Sequence, residues 1–299
     1  MMESDSQIRG RGAGSEALSM KIVVAKHMGF CGGVRRAVDI AQQAAASTGA
    51  PVNTFGPLIH NPQVVGRLED GGVRVAERPE DLAGDTFVVS AYGVEHGVLD
   101  AARGRGMRIV DATCPVVLRA HAVAEKLAGE GYQIICLGDH GHPEMVTLKE
   151  MLGDRVTIVH TREEAAAAKV SQRLGVVTQT TQSMDNLRLI VGDLALRVKE
   201  LKVLNTLCPA ITVRQEETDA IVEQVEALVV VGGRGSSNTT RLAEIGRDRG
   251  LPTYHIETAE EISADWFSGV GTVGVVSGAS TPEWIIRDVM HRLEGLDGR

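Results

Sequence analysis

Short runs of apolar, mostly β-branched residues punctuate the chain: KIVVA (21–25), FVVSA (87–91), RIVDA (108–112), QIICLG (133–138), VTIVH (156–160), LGVVTQ (174–179), ALVVVGG (227–233), PTYHI (252–256) and VGVVSG (273–278). Most are separated by stretches with an apolar stripe at helical spacing, which predict helices over 33–48, 115–129, 183–200, 210–226, 238–249 and 283–294. Continuous apolar strands alternating with helices predict parallel sheets covered on both faces, an α/β architecture. No Pro- or Ser-rich linker divides the chain, so its domains are expected to pack directly on one another. Residues 1–19, polar and Gly-rich, are expected to form a disordered extension.

An internal repeat sets the expected boundaries. The segments CGGVRRAVDIAQQAA (31–45), CPVVLRAHAVAEKLA (114–128) and CPAITVRQEETDAIV (208–222) each place a cysteine before an amphipathic helix with an early arginine. The cysteines lie 83 and 94 residues apart (114 − 31 and 208 − 114), which predicts three lobes, 20–113, 114–207 and 208–299. A thiolate at a helix start is favoured by the positive end of the dipole and suits a metal ligand. The plain alternative is three buried core thiols; the repeated context and the flanking glycines and prolines weigh against it. Closed zinc sites and ordinary iron–sulfur clusters use four protein ligands, usually with paired C-x-x-C spacing, which this chain lacks. Three thiolates from three lobes instead suit a cluster with one iron free of protein ligation, or a zinc with an open fourth position, where a substrate oxygen can bind. Cys136 sits inside an apolar run and is expected to be strand core.

Composition narrows the partners. The chain has 299 residues, is 43% hydrophobic and carries a net charge of −8, which argues against a nucleic-acid or anionic-membrane surface and for a small-molecule partner. Four cysteines without a signal pattern suggest a reducing cytoplasm. No apolar run approaches the roughly 20 residues of a membrane helix. Aromatic residues make up 3% and offer no interface patch, so a monomer is expected.

Polar motifs follow several of the strands, where open α/β sheets bind ligands. GPLIHNPQVV (56–65) presents His60 and Asn61, SAYGV (90–94) presents Ser90 and Tyr92, GDHGHPE (138–144) presents His140, His142 and Glu144, and TQTTQS (178–183) follows LGVV. His140 reads as a solvated loop residue. The segment VVVGGRGSSNTTRL (229–242) is only a weak dinucleotide fingerprint, because Asn238 stands where a third glycine belongs. Its Ser236, Ser237 and Asn238 at a helix start suit a phosphate, and SGASTPE (277–283), with Ser280 and Thr281, repeats that chemistry. Two such loops suit a diphosphate. Glu144 is the expected proton carrier, with a pKa raised by like charge from thiolates and diphosphate.

Nine motifs in order, GFCGGVRRAV, HNPQVV, SAYGV, DATCPVV, GHPE, TQTT, NTLCPAITVRQ, GSSNTTRL and GASTPE, run from about Lys21 to about Leu293. Together they resemble the 4-hydroxy-3-methylbut-2-enyl diphosphate reductase family of the non-mevalonate isoprenoid pathway. The resemblance implies a trefoil of three α/β lobes around a 4Fe-4S cluster held by Cys31, Cys114 and Cys208, with one iron lacking a protein ligand. It also implies reductive loss of the substrate hydroxyl, giving isopentenyl or dimethylallyl diphosphate, with a ferredoxin or flavodoxin as electron donor. By motif, Glu144 would supply the proton, Thr180 would orient the hydroxyl and the relay, and His60, His142, Ser236, Asn238 and Ser280, assisted by Ser237, would hold the diphosphate. The chain departs from the family at SAYGV, where a diphosphate-contacting histidine is usual and Tyr92 stands, and at Ile211, where a threonine is usual. Two readings follow: the standard substrate in a tolerant pocket, or a paralogue acting on a different allylic compound. A non-redox dehydratase would use the same open iron without an electron donor.

Overall fold

The computed structural model describes residues 20–296; the extension expected over 1–19 lies outside them. The chain runs from β1 (Lys21–Val24) into α1 (Gly32–Ser47), then through β2 (Val52–Phe55), α2 (Pro62–Asp70), β3 (Val73–Ala76), β4 (Thr86–Val89), α3 (His96–Gly104) and β5 (Arg108–Asp111). It continues through α4 (Pro115–Gly129), β6 (Gln133–Leu137), α5 (Pro143–Leu152), β7 (Val156–Val159), α6 (Arg162–Ala167), β8 (Arg173–Thr178), α7 (Met184–Ala195) and β9 (Glu200–Val203). The last part is α8 (Pro209–Val222), β10 (Ala227–Val231), α9 (Ser237–Asp248), β11 (Thr253–Ile256), β12 (Thr272–Ser277) and α10 (Glu283–Glu294).

The strands form three four-stranded parallel sheets of one spatial order: β3-β2-β4-β5, β7-β6-β8-β9 and β11-β10-β12-β1. The first strand therefore belongs with the last ones, Lys21 pairing with Thr272 and Val24 with Val275. This cuts the expected first lobe, 20–113, differently. In each unit the cysteine follows the fourth strand and leaves the lobe, so Cys31 closes the lobe that β10, β11 and β12 build. The other two sheets lie within 52–111 and 133–203.

Side chains alternate across each strand, and each sheet buries two apolar layers. In the first, Val88 faces Ala37, Val38 and Ala41 of α1, while Phe87 and Val89 face Val98 and Ala102 of α3. In the second, Ile134 and Cys136 face Ala124 and Leu127 of α4, and Ile135 and Leu137 face Leu187 and Ile190 of α7. In the third, Leu228 and Val230 face Ile221 and Val222 of α8, and Val229 and Val231 face Ile285 and Val289 of α10. Each cysteine-led helix thus crosses from the lobe that ends at its cysteine to the next, and the three helix starts meet at the lobe junction. Cys136 is strand core, fully buried, its thiol directed at Met145 Sδ at 3.5 Å.

All nine expected strands form. Three more, VNTF, VRVA and ELKV, are too short and polar to stand out. Buried Asn53 in the first of them is satisfied by Ala83, 30 residues on, whose N–H it accepts at 3.2 Å. The helix expected over 183–200 stops at Ala195, freeing Glu200–Val203 to pair with β8.

Candidate functional site at the lobe junction

Two residues beyond the third strand of each unit, a carbonyl receives the cysteine of the same lobe. Cys114 N–H donates to Ala91 O at 3.0 Å, Cys208 N–H to Thr180 O at 2.9 Å and Cys31 N–H to Ala279 O at 3.0 Å. Each cysteine is the N-cap of its helix, and Cys31 Sγ accepts the Val34 N–H at 3.5 Å. Proline at the first helical position of α4 and α8 leaves no stray donor there. Gly33 permits close approach of the helix starts: a Cβ at this position would stand 2.6 Å from Cys114 Sγ.

The first strand inserted in each unit supplies the second ring of the site. Five residues beyond its end (55 to 60, 137 to 142, 231 to 236) stand His60, His142 and Ser236. The caps follow: Asn61 Oδ1 accepts the Val64 N–H, His142 Nδ1 the Glu144 N–H, and Ser236 Oγ the Thr239 N–H. Two positions further in each lobe the chain has Pro62, Glu144 and Asn238. The backbone repeats threefold, and the chemistry lies where the three side chains differ.

All of these converge. One central cavity, about 630 Å³ with its open mouth included, is lined by Cys31, Cys114, Cys208, His60, Tyr92, His142, Glu144, Thr180, Ser236, Ser237, Asn238 and Ser280. Every site residue expected from the sequence is therefore on one surface. Ile211 also lines it and is buried. His140 lies elsewhere, exposed and 2.7 Å from Glu164 Oε2. Sequence reasoning missed Thr181, Val34, Val116 and Val117 among the lining residues. The repeat holds the signal for Thr181, which is the counterpart of Tyr92 and Ser280, each three positions beyond its strand end (89 to 92, 178 to 181, 277 to 280).

Glu144 is buried and both its oxygens are engaged: the Thr180 N–H donates to Oε1 and the Thr180 hydroxyl to Oε2, each at 2.9 Å. Burial pushes its pKa up to about 7; the two Thr180 hydrogen bonds oppose this, and nearby Asp139 adds slightly to it. The main cause within the protein is thus desolvation, where the sequence suggested like charge. His121 supports the same segment, its Nε2 lying 3.2 Å from Glu144 O.

His60, Tyr92 and His142 form a ring cluster. Tyr92 stacks on His60 with centroids 4.3 Å apart, and the two histidines meet edge to face at 5.2 Å. The His60 N–H donates to the Tyr92 hydroxyl at 2.8 Å, and Ser280 donates to His60 O at 3.1 Å, tying the third lobe to the first. Burial lowers the pKa of both His60 and His142 to about 4, so both are neutral near pH 7. Burial also raises the Tyr92 phenol, chiefly, so it stays a hydroxyl. No lysine or arginine is among the described lining residues. His60 Nε2 and both polar atoms of the Asn238 amide are buried without a protein partner, which leaves them for a ligand.

A trefoil of parallel α/β lobes whose junction gathers three thiols, a buried carboxyl and unpartnered amide and imidazole groups defines a three-lobed protein with an interlobe ligand site. The chain belongs to the LytB protein family, whose pattern matches residues 22–294. It is similar to the 4-hydroxy-3-methylbut-2-enyl diphosphate reductase of Geobacter sulfurreducens, 42% identical over 280 residues that cover 94% of this chain and 99% of the relative. The enzyme of that name from Aquifex aeolicus is 40% identical over 278 residues, 92% of this chain and 96% of the relative. Among solved structures, the E-1-hydroxy-2-methyl-but-2-enyl-4-diphosphate reductase from Plasmodium falciparum superposes with a TM-score of 0.87 at 27% identity, covering 91% of this chain and 87% of that one. An (E)-4-hydroxy-3-methyl-but-2-enyl diphosphate reductase, the terminal enzyme of the non-mevalonate pathway, gives 0.65 at 39% identity, covering 92% and 99%. Among the described residues no helix is long and apolar enough to cross a membrane.

Proposed function

We propose that the protein is an iron–sulfur oxidoreductase that converts 4-hydroxy-3-methylbut-2-enyl diphosphate to isopentenyl and dimethylallyl diphosphate. The observation that carries the reading is the convergence of three thiols, Glu144 and the unpartnered His60 Nε2 and Asn238 amide on one cavity. Cys31, Cys114 and Cys208, one from the end of each lobe, line the same cavity and would hold the cluster. When bound, a 4Fe-4S cluster with one iron free of protein ligation supplies electrons and a Lewis-acidic position.

The protein's own groups do the rest. His60, His142, Tyr92, Ser236, Ser237, Asn238 and Ser280 bind the diphosphate through neutral donors, and Val116, Val117 and Ile211 add apolar lining beside them. Asp139 steadies Ser237: burial works to raise its pKa, but the Ser237 hydrogen bond and the charge of Arg241 outweigh that. Protonated Glu144, held by Thr180, delivers the proton. In sum the C–O bond breaks, two electrons and two protons are consumed, the hydroxyl leaves as water, and a C–H bond forms at the allylic carbon.

The relatives' names and the match across most of the chain support this substrate. One observation favours a second reading, the same reduction of another allylic compound: the Tyr92 ring is stacked into the space beside His60, and Ile211 adds an apolar wall. The test is an anaerobic assay with a strong one-electron reductant and hydroxymethylbutenyl diphosphate. Both products should form with the reductant and none without it. Turnover without an electron donor would mark a dehydratase, and inertness with the reductant would favour the second reading.

A further inference from the structure

Each cysteine-led helix carries an early arginine, Arg36, Arg119 and Arg214, and they have different fates. Arg36 and Arg119 are exposed, whereas Arg214 is 7% exposed. Arg36 stitches α1 to the neighbouring thiol segment, donating to Thr113 O at 3.1 Å, one residue before Cys114. Arg214 makes the corresponding stitch from α8: its Nη2 donates to Gly29 O at 3.0 Å, two residues before Cys31, and its Nη1 to Ala210 O at 2.7 Å, two residues after Cys208. The Gly29 segment is pinned from the other side by its N–H, which donates to Ser277 Oγ at 3.0 Å. Arg214 therefore bridges the backbones of two thiol-bearing segments.

Its charge is the unexplained part. Both bonds go to neutral carbonyls, Nε is buried with no partner, and among the described residues no carboxylate stands within ion-pair distance of the guanidinium. The nearest acid in the helix, Glu217, is engaged by the Lys26 and His27 amides. A buried cation without a counter-charge is strongly unfavourable. The groups that act on it most favourably are Cys31 and Cys208, ahead of Glu217.

We infer that Arg214 is the counter-ion of the thiolate-held centre, and that its fixed positive charge sets the reduction potential of the cluster while its two hydrogen bonds position the Cys31 and Cys208 segments. A nearby cation stabilises whichever redox state is more negative, so Arg214 favours the reduced state and raises the potential. It is a positioning and tuning residue, since it touches neither substrate nor reacting atoms. The inference rests on the reading of the three cysteines as cluster ligands.

The test is a spectroelectrochemical titration, followed by visible absorption and EPR, of anaerobic wild type, Arg214→Gln, Arg214→Lys and Arg36→Gln. In Arg214→Gln the ratio of reduced to oxidised cluster at fixed potential should fall at least tenfold, a midpoint lower by about 59 mV for a one-electron couple. Arg214→Lys, which keeps the charge, should restore most of that shift, and Arg36→Gln should not move the midpoint. A Gln variant that fails to assemble a cluster beside a Lys variant that assembles one with near-wild-type potential also supports the role of charge. An unshifted Gln variant, equal shifts in Gln and Lys, or failure of both to assemble overturns the inference. Absence of any cluster from wild type fails the underlying reading instead.

Discussion

Thr180 takes both oxygens of Glu144, one by its backbone N–H and one by its hydroxyl, each at 2.9 Å. The same residue's carbonyl accepts the N–H of Cys208 at 2.9 Å. One threonine therefore fixes the Glu144 carboxyl relative to the Cys208 segment, which on the proposed reading are the proton donor and a cluster ligand. The link runs through the segment that follows β8.

Removing the acid should abolish chemistry and spare the centre. Glu144→Gln preserves the shape and the Thr180 contacts in part, so turnover is expected to fall about 10²- to 10⁴-fold, with iron content and visible spectrum unchanged. Because burial sets the Glu144 pKa at about 7, wild-type turnover should also decline as pH rises through that value. A pH–rate profile that stays flat to pH 9 would show that Glu144 is not the donor.

Tyr92 offers a test of substrate choice. Restoring an imidazole with Tyr92→His adds a donor to the anion site at the cost of the bond from His60 N–H to the phenol. With the hydroxymethylbutenyl diphosphate reading, a gain of about 1–3 kcal/mol in diphosphate contact corresponds to a KM lower by about five- to 150-fold. Steady-state kinetics check this; a higher KM with wild type already efficient would mean that Tyr92 itself serves the diphosphate.

Gly33 is predicted to be intolerant for a local reason. A Cβ 2.6 Å from Cys114 Sγ cannot be accommodated without moving the thiol. Gly33→Ala should give a folded chain by circular dichroism whose iron content is sharply reduced. Full iron loading in this variant would contradict the placement of Cys114.

The buried histidines and Glu144 act on stability in opposite directions. His60 and His142 have folded pKa values lowered from 6.5 to about 4, so their contribution is complete above about pH 6.5 and is lost as pH falls towards 4. Glu144 is raised from 4.5 to about 7, so its contribution is present below about 4.5 and is lost as pH rises to 7. Between about pH 4.5 and 6.5 the three nearly saturated shifts leave a net slope of one proton, roughly 1.4 kcal/mol per pH unit, with stability rising with pH. Glu144→Gln removes the opposing group, and urea denaturation at about pH 5 and 6 should show the slope steepen by about one further proton. An unchanged slope would mean that Glu144 titrates normally.

Much of this was legible in the chain, and the gaps have physical causes. The apolar runs that became β4, β6, β8, β10 and β12 are buried on both faces and carry no polar interruption, so they read clearly. VNTF and ELKV did not, because buried Asn53 finds its partner in Ala83, 30 residues on, and β9 lies at a sheet edge. The repeat of cysteine before helix was visible, but its phase was not: KIVV reads as the start of a first lobe, and only its pairing with β12 shows that it completes the last. Glu144 was identifiable from its motif, whereas the cause of its raised pKa, burial under the Thr180 strand end, depends on contacts 36 residues apart. Arg214 shared its pattern with Arg36 and Arg119, and only packing separates a buried charge from two solvated ones.

The most direct measurement is the iron and sulfide content and visible absorption of the anaerobically purified protein, for wild type and for alanine variants at Cys31, Cys114, Cys208 and Cys136. A brown wild type, loss of the chromophore in each of the first three variants and its retention in Cys136→Ala are the predicted results. A colourless wild type, or a chromophore that survives loss of any of Cys31, Cys114 and Cys208 but not of Cys136, would contradict the account.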